Sequence, residues 1–227
     1  MTDSRKLDQQ DAAVRAVDLL RPAMVVGLGS GSTARIVIEE IGRRIERGAL
    51  NGVLGIPTSR ATQRHALACG IRLTTLEDHP QLDLTIDGAD EVDREGNLLK
   101  GAGGALLWER IVAGCSRRLV IVVDRTKLVD RLGTEQPLPI EVAPFGWSTH
   151  LAAVRALGGE PTLRMGARSA PYRTDGDHYL IDARFPHGIP EPRAVAQALR
   201  SRPGVVETGL FLGLSPEVIV GAHPQAS

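Results

Sequence analysis

An α/β fold is predicted: a Rossmann-like parallel sheet with helices on both faces, plus a smaller α+β lobe of ferredoxin-like type. Three observations carry this reading. Short apolar runs closed by glycine or aspartate alternate with helical stretches as far as Gly133. The core palette is aliphatic, with 42% hydrophobic but only 3% aromatic residues, which suits strands buried on both faces. After Gly133 the texture changes to proline-rich segments that read as short antiparallel strands and two helices.

Taken in order, Leu7 to Leu20 predicts a helix with Ala13, Val14, Val17 and Leu20 on one face, ended by Arg21-Pro22. Ala23 to Gly29 is a buried strand stopped by glycine. Thr33 to Arg47 is helical, because Val37, Ile41 and Ile45 recur every four residues with Ile38 beside them. Val53 to Ile56 is a strand, and Pro57 to Cys69 a turn plus helix. Leu82 to Ile86 is a strand closed by Asp87-Gly88, Gly103 to Val112 a helix, and Leu119 to Val123 a strand closed by Asp124. Such alternation implies parallel strands with right-handed crossovers. In the lobe, Pro161 to Met165 and His178 to Phe185 read as strands, and Ser148 to Leu157 and Glu191 to Arg200 as helices. The apolar tail from Val205 to Val220 is expected to return to the first sheet. The expected domains are 1–133 with 205–227, and 134–204.

Charge excludes some functions. Lys+Arg and Asp+Glu balance at 27 each, so no overall field draws the chain to nucleic acid or an anionic membrane. Any anion site must be local. No apolar run approaches ~20 residues, so no membrane span is expected. The N-terminal residues have no apolar signal region, and the expected location is the cytoplasm. Cys69 and Cys115 stand far apart and are expected to be free thiols.

Four segments could carry chemistry. Gly27-Leu28-Gly29-Ser30-Gly31-Ser32-Thr33 joins a strand to a helix. Its glycines permit close approach, its hydroxyls donate, and the helix N-terminus favours a phosphate. The alternative is a tight turn with a hydroxyl cap. A Walker loop is excluded by the missing lysine, and a dinucleotide fingerprint by Ser32 where a third glycine is needed. Asp87-Gly88-Ala89-Asp90-Glu91 sets three carboxylates beside a buried strand, at the end where open α/β sheets bind ligands. They can share protons or accept bonds from sugar hydroxyls. A solvated turn or a divalent cation site are the alternatives, and the lack of a nearby histidine speaks against the metal. Lys100-Gly101-Ala102-Gly103-Gly104 leads into a helix that carries Glu109. Taken alone, Glu109 and Lys100 also read as ordinary surface charges. Lys127 follows Asp124 at the end of another strand. The scattered histidines support neither zinc nor histidine catalysis.

Together these segments resemble the ribose-5-phosphate isomerase family, A type. The resemblance runs through GLGSGSTA (27–34), GIPTSRAT (55–62), DLTIDGADEVD (83–93), LLKGAGGALLWERIVA (98–113), VVDRTKLVDRLG (122–133), PLPIEVAPFGW (137–147) and GVVETGLFLGL (204–214). It implies that Glu109 is the catalytic base and that Asp87 and Asp90 contact the sugar and help open its ring. Lys100, Gly101, Ala102 and Gly103 would surround the reacting end, with Gly88 and Ala89 completing the substrate contacts. Ser30, Gly31, Ser32 and Thr33 would bind the phosphate, with Lys127 assisting. No cofactor and no metal are implied, and the partner is a small sugar phosphate, bound by a homodimer or homotetramer. The sequence departs from the family pattern at Ser30, often threonine, and at Ala102, often glycine. A first-helix lysine that reaches the phosphate in many relatives appears here as Gln9, with Lys6 one turn earlier. The turn at Asp175-Gly176-Asp177-His178 also departs.

The implied reaction is an aldose–ketose isomerisation between ribose 5-phosphate and ribulose 5-phosphate through an enediolate. A non-catalytic sugar-phosphate sensor of the same fold is the rival. Such sensors carry a DNA-binding segment, and the residues before Ala23 are not basic overall. An amino-sugar-phosphate deaminase would want a suitably placed histidine, and a coenzyme A transferase a glutamate in another glycine context. A nicotinamide oxidoreductase fails on the third glycine.

Overall fold

The computed structural model describes residues 2–222, apart from the side chains of residues 2–4 and 168. Met1 and residues 223–227, which the expected α/β domain includes, lie outside the described residues. The chain divides into two compact units. The first is Met1–Ala89, Trp108–Lys127 and Ser215–Ser227, and the second is Asp90–Leu107 and Leu128–Leu214.

In the first unit six strands form one sheet. Across it lie Glu217–Val220, Leu119–Val123, Leu84–Asp87, Val25–Leu28, Leu54–Pro57 and Arg72–Leu73. Every neighbouring pair is parallel. Successive side chains alternate between faces. Val26, Leu28, Leu84, Ile86, Val120 and Val122 point to one core, which Ala13, Ala16 and Val17 of the Thr2–Val17 helix and Val37, Ile38 and Ile41 of the Ser32–Glu46 helix complete. On the opposite face Ile56 and Leu82 meet Val112 of the Leu106–Gly114 helix. Helices therefore cover both faces, as the aliphatic runs require.

Gly27 decides how near that last helix comes. It stands beside Thr85 and Ile56 in the sheet. A β-carbon there would lie 2.6 Å from Val112 Cγ1 and 2.9 Å from Thr85 Cβ, well inside contact distance. The missing side chain is what admits the helix.

The first helix begins at Thr2, earlier than the expected Leu7, and two further helix boundaries differ for visible reasons. The first helix ends at Val17 rather than Leu20, because the chain tightens into Leu19 N–H to Ala16 O (3.2 Å) and Leu20 N–H to Val17 O (3.1 Å) before Pro22. The Glu109 helix starts at Leu106 rather than Gly103, because Gly101 and Gly104 hold φ of +104° and +79°, which no helix accommodates. Glu109 thus falls in the first turn.

The second unit holds a four-stranded sheet in the order Val205–Thr208, Leu138–Val142, Tyr179–Arg184, Glu160–Leu163, with all neighbours antiparallel. With the His150–Ala156 and Pro192–Arg200 helices, the chain order is βαββαβ, the ferredoxin-like arrangement. Leu138, Ile140, Val142, Ile181 and Ala183 bury one face against Val154, Val195 and Leu199. The tail splits: Val205–Thr208 pairs here, and only Glu217–Val220 joins the parallel sheet. A three-stranded sheet of Leu210–Phe211, Leu98–Leu99 and Glu91–Val92 completes the unit.

Glu91 is a structural carboxylate. It is fully buried and accepts N–H bonds from Gly133 (2.5 Å), Glu135 (2.8 Å) and Gln136 (2.7 Å). Those donors compensate for its removal from water. Both cysteines are free thiols, as expected.

Replacing Gly27 by alanine is expected to cost about 1–3 kcal/mol by overpacking against Val112 and Thr85. The urea midpoint at constant slope measures this. An unchanged midpoint would show that the helix can yield at no cost.

Candidate active site

The glycine loop and Asp87 form one knot within the first unit. Gly29 continues the sheet by donating to Ile86 O (2.9 Å). A β-carbon on Gly29 would overlap the Asp87 carboxyl. Ser30 N–H (3.1 Å) and Gly88 N–H (2.8 Å) both donate to Asp87 Oδ1. Asp87 is only 2% exposed, so these bonds orient a carboxyl that water scarcely reaches.

The Ser30 hydroxyl sits among three neighbouring hydroxyls. It lies 2.9 Å from Thr58 Oγ1, 2.8 Å from Ser59 Oγ and 3.0 Å from Thr62 Oγ1. Thr62 Oγ1 in turn donates to Gly29 O (2.9 Å), and Thr58 Oγ1 to Leu28 O (2.9 Å). Four hydroxyls therefore lash the Leu54–Pro57 strand's following turn to the glycine loop. Ser59 also caps the Arg60–Ala68 helix by accepting from Thr62 N–H (3.0 Å). The anion-binding capacity of the loop lies in its backbone. Gly31, at φ +95°, precedes the Ser32–Glu46 helix and provides no side-chain cap for its first N–H groups. An uncapped N-terminus with exposed Gly31 and Ser32 suits a phosphate.

Glu109 is placed by the direction of its helix. The far end of that helix is tied to the start of the Leu84–Asp87 strand. Leu82 N–H donates to Cys115 O (2.9 Å), Arg117 N–H to Leu82 O (3.0 Å), and the Thr85 and Ser116 hydroxyls lie 2.6 Å apart. The helix thus runs against the strands, and from Cys115 back to Glu109 it rises about 9 Å toward their carboxyl ends. Glu109 stands three residues before Val112, on the stripe that faces the sheet. Its residual exposure is 5%. A carboxyl on the sheet-facing side, near the carboxyl ends of the strands, stands where open α/β sheets bind their ligands.

At the end of the Leu119–Val123 strand, Asp124 organises the turn that carries Lys127. Lys127 N–H donates to Asp124 O (3.1 Å) in a single 3₁₀ turn, Arg125–Lys127. The Asp124 carboxyl is 1% exposed and accepts from Arg5 Nε (2.9 Å), Gln9 Nε2 (3.0 Å), Thr126 N–H (3.0 Å) and the Thr126 hydroxyl. Burial by itself would raise this carboxyl. The bonds from Thr126, Arg5 and Gln9, with the Arg5 charge, outweigh burial and hold it below the usual carboxylate range. Gln9 is thereby committed to Asp124, while Lys6 is exposed.

Asp90 and the turn from Lys100 to Gly103 belong to the second unit, whereas Thr33 and Ala89 belong to the first. Asp90 N–H donates to Leu99 O (2.8 Å), and Asp90 Oδ2 accepts from Ala102 N–H (2.9 Å). Lys100 N–H donates to Gly209 O (2.9 Å). Its side chain is 4% exposed, and the ammonium lies 5.6 Å from the centroid of Phe211. Positive φ falls on Gly101 and Gly104, not on Ala102, so alanine at that position carries no backbone strain. The acidic run therefore separates by function: Asp87 binds the glycine loop, Asp90 the Lys100 turn, and Glu91 the segment from Gly133 to Gln136.

Several supporting residues went unassigned in the sequence. Thr58, Ser59 and Thr62 left a visible trace, a hydroxyl-rich turn after a strand. Phe211, Arg164 and Tyr172 left none, because they lie far along the chain from the turn they touch.

The model of the family "Ribose 5-phosphate isomerase A (phosphoriboisomerase A)" matches residues 54–225. The chain belongs to the ribose 5-phosphate isomerase A family. It is 51% identical over 213 residues to ribose-5-phosphate isomerase A of Gloeobacter violaceus, covering 93% of this chain and 91% of that protein. Ribose 5-phosphate isomerase A of Methanocaldococcus jannaschii has a solved structure that matches with TM-score 0.90 and 37% identity over 96% of both chains. A D-ribose-5-phosphate isomerase in complex with phospho-erythronic acid matches with TM-score 0.92 and 36% identity, over 95% of this chain and 94% of the other. Family membership makes the chain an isomerase, and the parallel sheet with a smaller antiparallel one is the family fold. Among the described residues no helix is long and apolar enough to cross a membrane.

Asp124 yields a signed pH dependence. Its folded value lies below its unfolded one, so its stabilisation is present above the ordinary carboxylate range, near pH 4, and lost as pH falls through the folded value. Asp124→Asn should therefore lower the melting temperature most near neutral pH, with the gap to wild type closing below about pH 4. A gap independent of pH would refute the assignment of this carboxylate as a paired anion.

Proposed function

We propose that this chain interconverts ribose 5-phosphate and ribulose 5-phosphate through an enediolate, with Glu109 moving the proton between C2 and C1. The observation that carries the reading is the position of Glu109: nearly buried, on the sheet-facing side of its helix, at the carboxyl end of the strands, in a chain of this family. A carboxylate in that setting is shielded from water and can act as a base on carbon when the negative oxygen it creates is met by donors.

The substrate's phosphate would bind at the first turn of the Ser32–Glu46 helix through Gly31, Ser32 and Thr33, with Lys127 as counter-charge. Ser30 would shape the loop through its hydroxyl network rather than touch the ligand through Oγ. Asp87, with Gly88 and Ala89 beside it, would take the proton from the ring hydroxyl at C1 and return one to the ring oxygen, opening the sugar. Asp90 would hold the Lys100 turn at its work through Ala102 N–H. Glu109 then removes the hydrogen at C2, and electrons move into the C1 carbonyl. Lys100 and the N–H groups of Gly101 and Gly103 would receive the developing oxyanion, with Ala102 N–H held by Asp90. The O2 proton passes to O1 and the same carboxyl gives its proton to C1, which leaves the ketose with a C1 hydroxyl and a C2 carbonyl. C1 and C2 are adjacent, so one carboxyl on one face serves both. The remote phosphate supplies binding energy that orients the reacting end. C2 is oxidised to a carbonyl as C1 is reduced to an alcohol, so the electron balance closes within the sugar. Assembly as a homodimer or homotetramer in the cytoplasm is part of the same proposal and rests on the family resemblance.

Mixing the protein with ribose 5-phosphate, with no cofactor added, should produce ketose. Absence of turnover with intact sugar-phosphate binding would favour the sensor instead. Glu109→Gln is expected to lower kcat by about 10²–10⁴-fold while sugar-phosphate affinity stays near wild type, and near-normal turnover would remove Glu109 from its role. Lys100→Ala should lower kcat more than it raises KM, because the ammonium meets charge present only beyond the ground state. A change confined to KM would contradict that.

A further inference from the structure

The Lys100 turn is gripped on its carbonyl side by residues to which neither the motifs nor the proposed mechanism assigns a role. Arg164 follows the Glu160–Leu163 strand. Its Nη1 donates to Ala102 O (2.9 Å) and Gly101 O (3.2 Å). Its Nε and Nη2 close a fork on Asp182, at 2.7 Å to Oδ2 and 2.5 Å to Oδ1. A two-point bond of this kind fixes the plane of the guanidinium, which a single contact does not. Tyr172 completes the grip. Its hydroxyl donates to Gly103 O (3.3 Å), and its ring lies 5.7 Å from the Arg164 guanidinium carbon. Burial raises the Tyr172 phenol above its ordinary value, against the Arg164 charge, so the hydroxyl keeps the proton it donates.

Three successive carbonyls, Gly101, Ala102 and Gly103, are thus drawn to these two side chains. In a trans peptide the N–H points opposite to the C=O. Drawing Gly101 O to Arg164 turns Ala102 N–H the other way, and it meets Asp90 Oδ2 at 2.9 Å. Drawing Ala102 O to the same guanidinium turns Gly103 N–H to that opposite side too. Gly103 is exposed, and a β-carbon there would meet nothing within 4 Å. The guanidinium also polarises the peptide groups it binds, which makes their N–H better donors.

We infer that Arg164, aligned by Asp182 and backed by Tyr172, is a positioning residue for the isomerisation: it holds the peptide planes of the Lys100 turn so that the N–H of Gly103 faces the developing oxyanion. This rests on the proposed function, in which that turn receives the enediolate. Arg164 touches no substrate and acts only through the backbone. Lysine cannot substitute, because a point charge cannot bind Asp182 at two points and two carbonyls in one plane.

The test is steady-state kinetics on the full-length protein with ribose 5-phosphate. Arg164→Lys and Asp182→Asn should each lower kcat about tenfold to a hundredfold, the scale of a misplaced donor, with KM within about threefold of wild type. Tyr172→Phe keeps the ring and loses only the bond to Gly103 O, so it should lower kcat by a smaller factor in the same direction. It also decides the matter should the arginine variant fail to fold. Wild-type kcat in Arg164→Lys, or in Tyr172→Phe should the arginine variant not fold, or a rise in KM with kcat unchanged, would overturn the inference. Wild-type turnover is read in the same assay: its absence defeats the proposed function, whereas full turnover undiminished by the variants defeats the clamp alone.

Discussion

The close approach of the Leu106–Gly114 helix to the parallel sheet is the constraint on which the first unit's chemistry depends. It exists because Gly27 has no side chain, so Val112 can settle beside Thr85. The bonds that tie Cys115 and Arg117 to Leu82 then set the helix's direction, and direction brings its first turn to the carboxyl ends of the strands. Glu109 is buried as a consequence. A side chain at position 27 would collide with Val112 on this helix and with Thr85 in the sheet.

The buried carboxylates of this chain are sorted by the donors they find. Glu91 takes three backbone N–H bonds and closes a loop. Asp124 takes Arg5, Gln9 and Thr126 and holds the Lys127 turn. Asp87 takes two N–H bonds from the glycine loop and its own following residue. Removal from water is tolerable only with such partners, so each partner set is also a statement of function. Identical side chains in one short run, Asp87 and Asp90, serve different loops because the backbone between them leaves one sheet for another.

Much of the fold was legible because periodicity reports burial directly. The strand Leu119–Val123 is an unbroken aliphatic run, and the Ser32–Glu46 helix repeats its apolar residues at the helical interval. The Leu106 start was misread because a glycine run says that the backbone bends, not which residue carries positive φ. Motifs located the glycine loop, the acidic run and the Lys100 turn. They could not reveal that the Ser30 hydroxyl sits among those of Thr58, Ser59 and Thr62, since these lie 28 to 32 positions further along the chain.

By itself, then, the sequence determined the alternation of elements, the family, and the segments in which donors and carboxylates are found, because these depend on residue type and near spacing. Tertiary structure alone decided which atoms those groups engage. The grip of Arg164 and Tyr172 on the carbonyls of residues 101–103 spans more than sixty positions of chain. Hydrogen bonds act over a few ångströms of space, whatever the separation in sequence, and only folding converts one into the other.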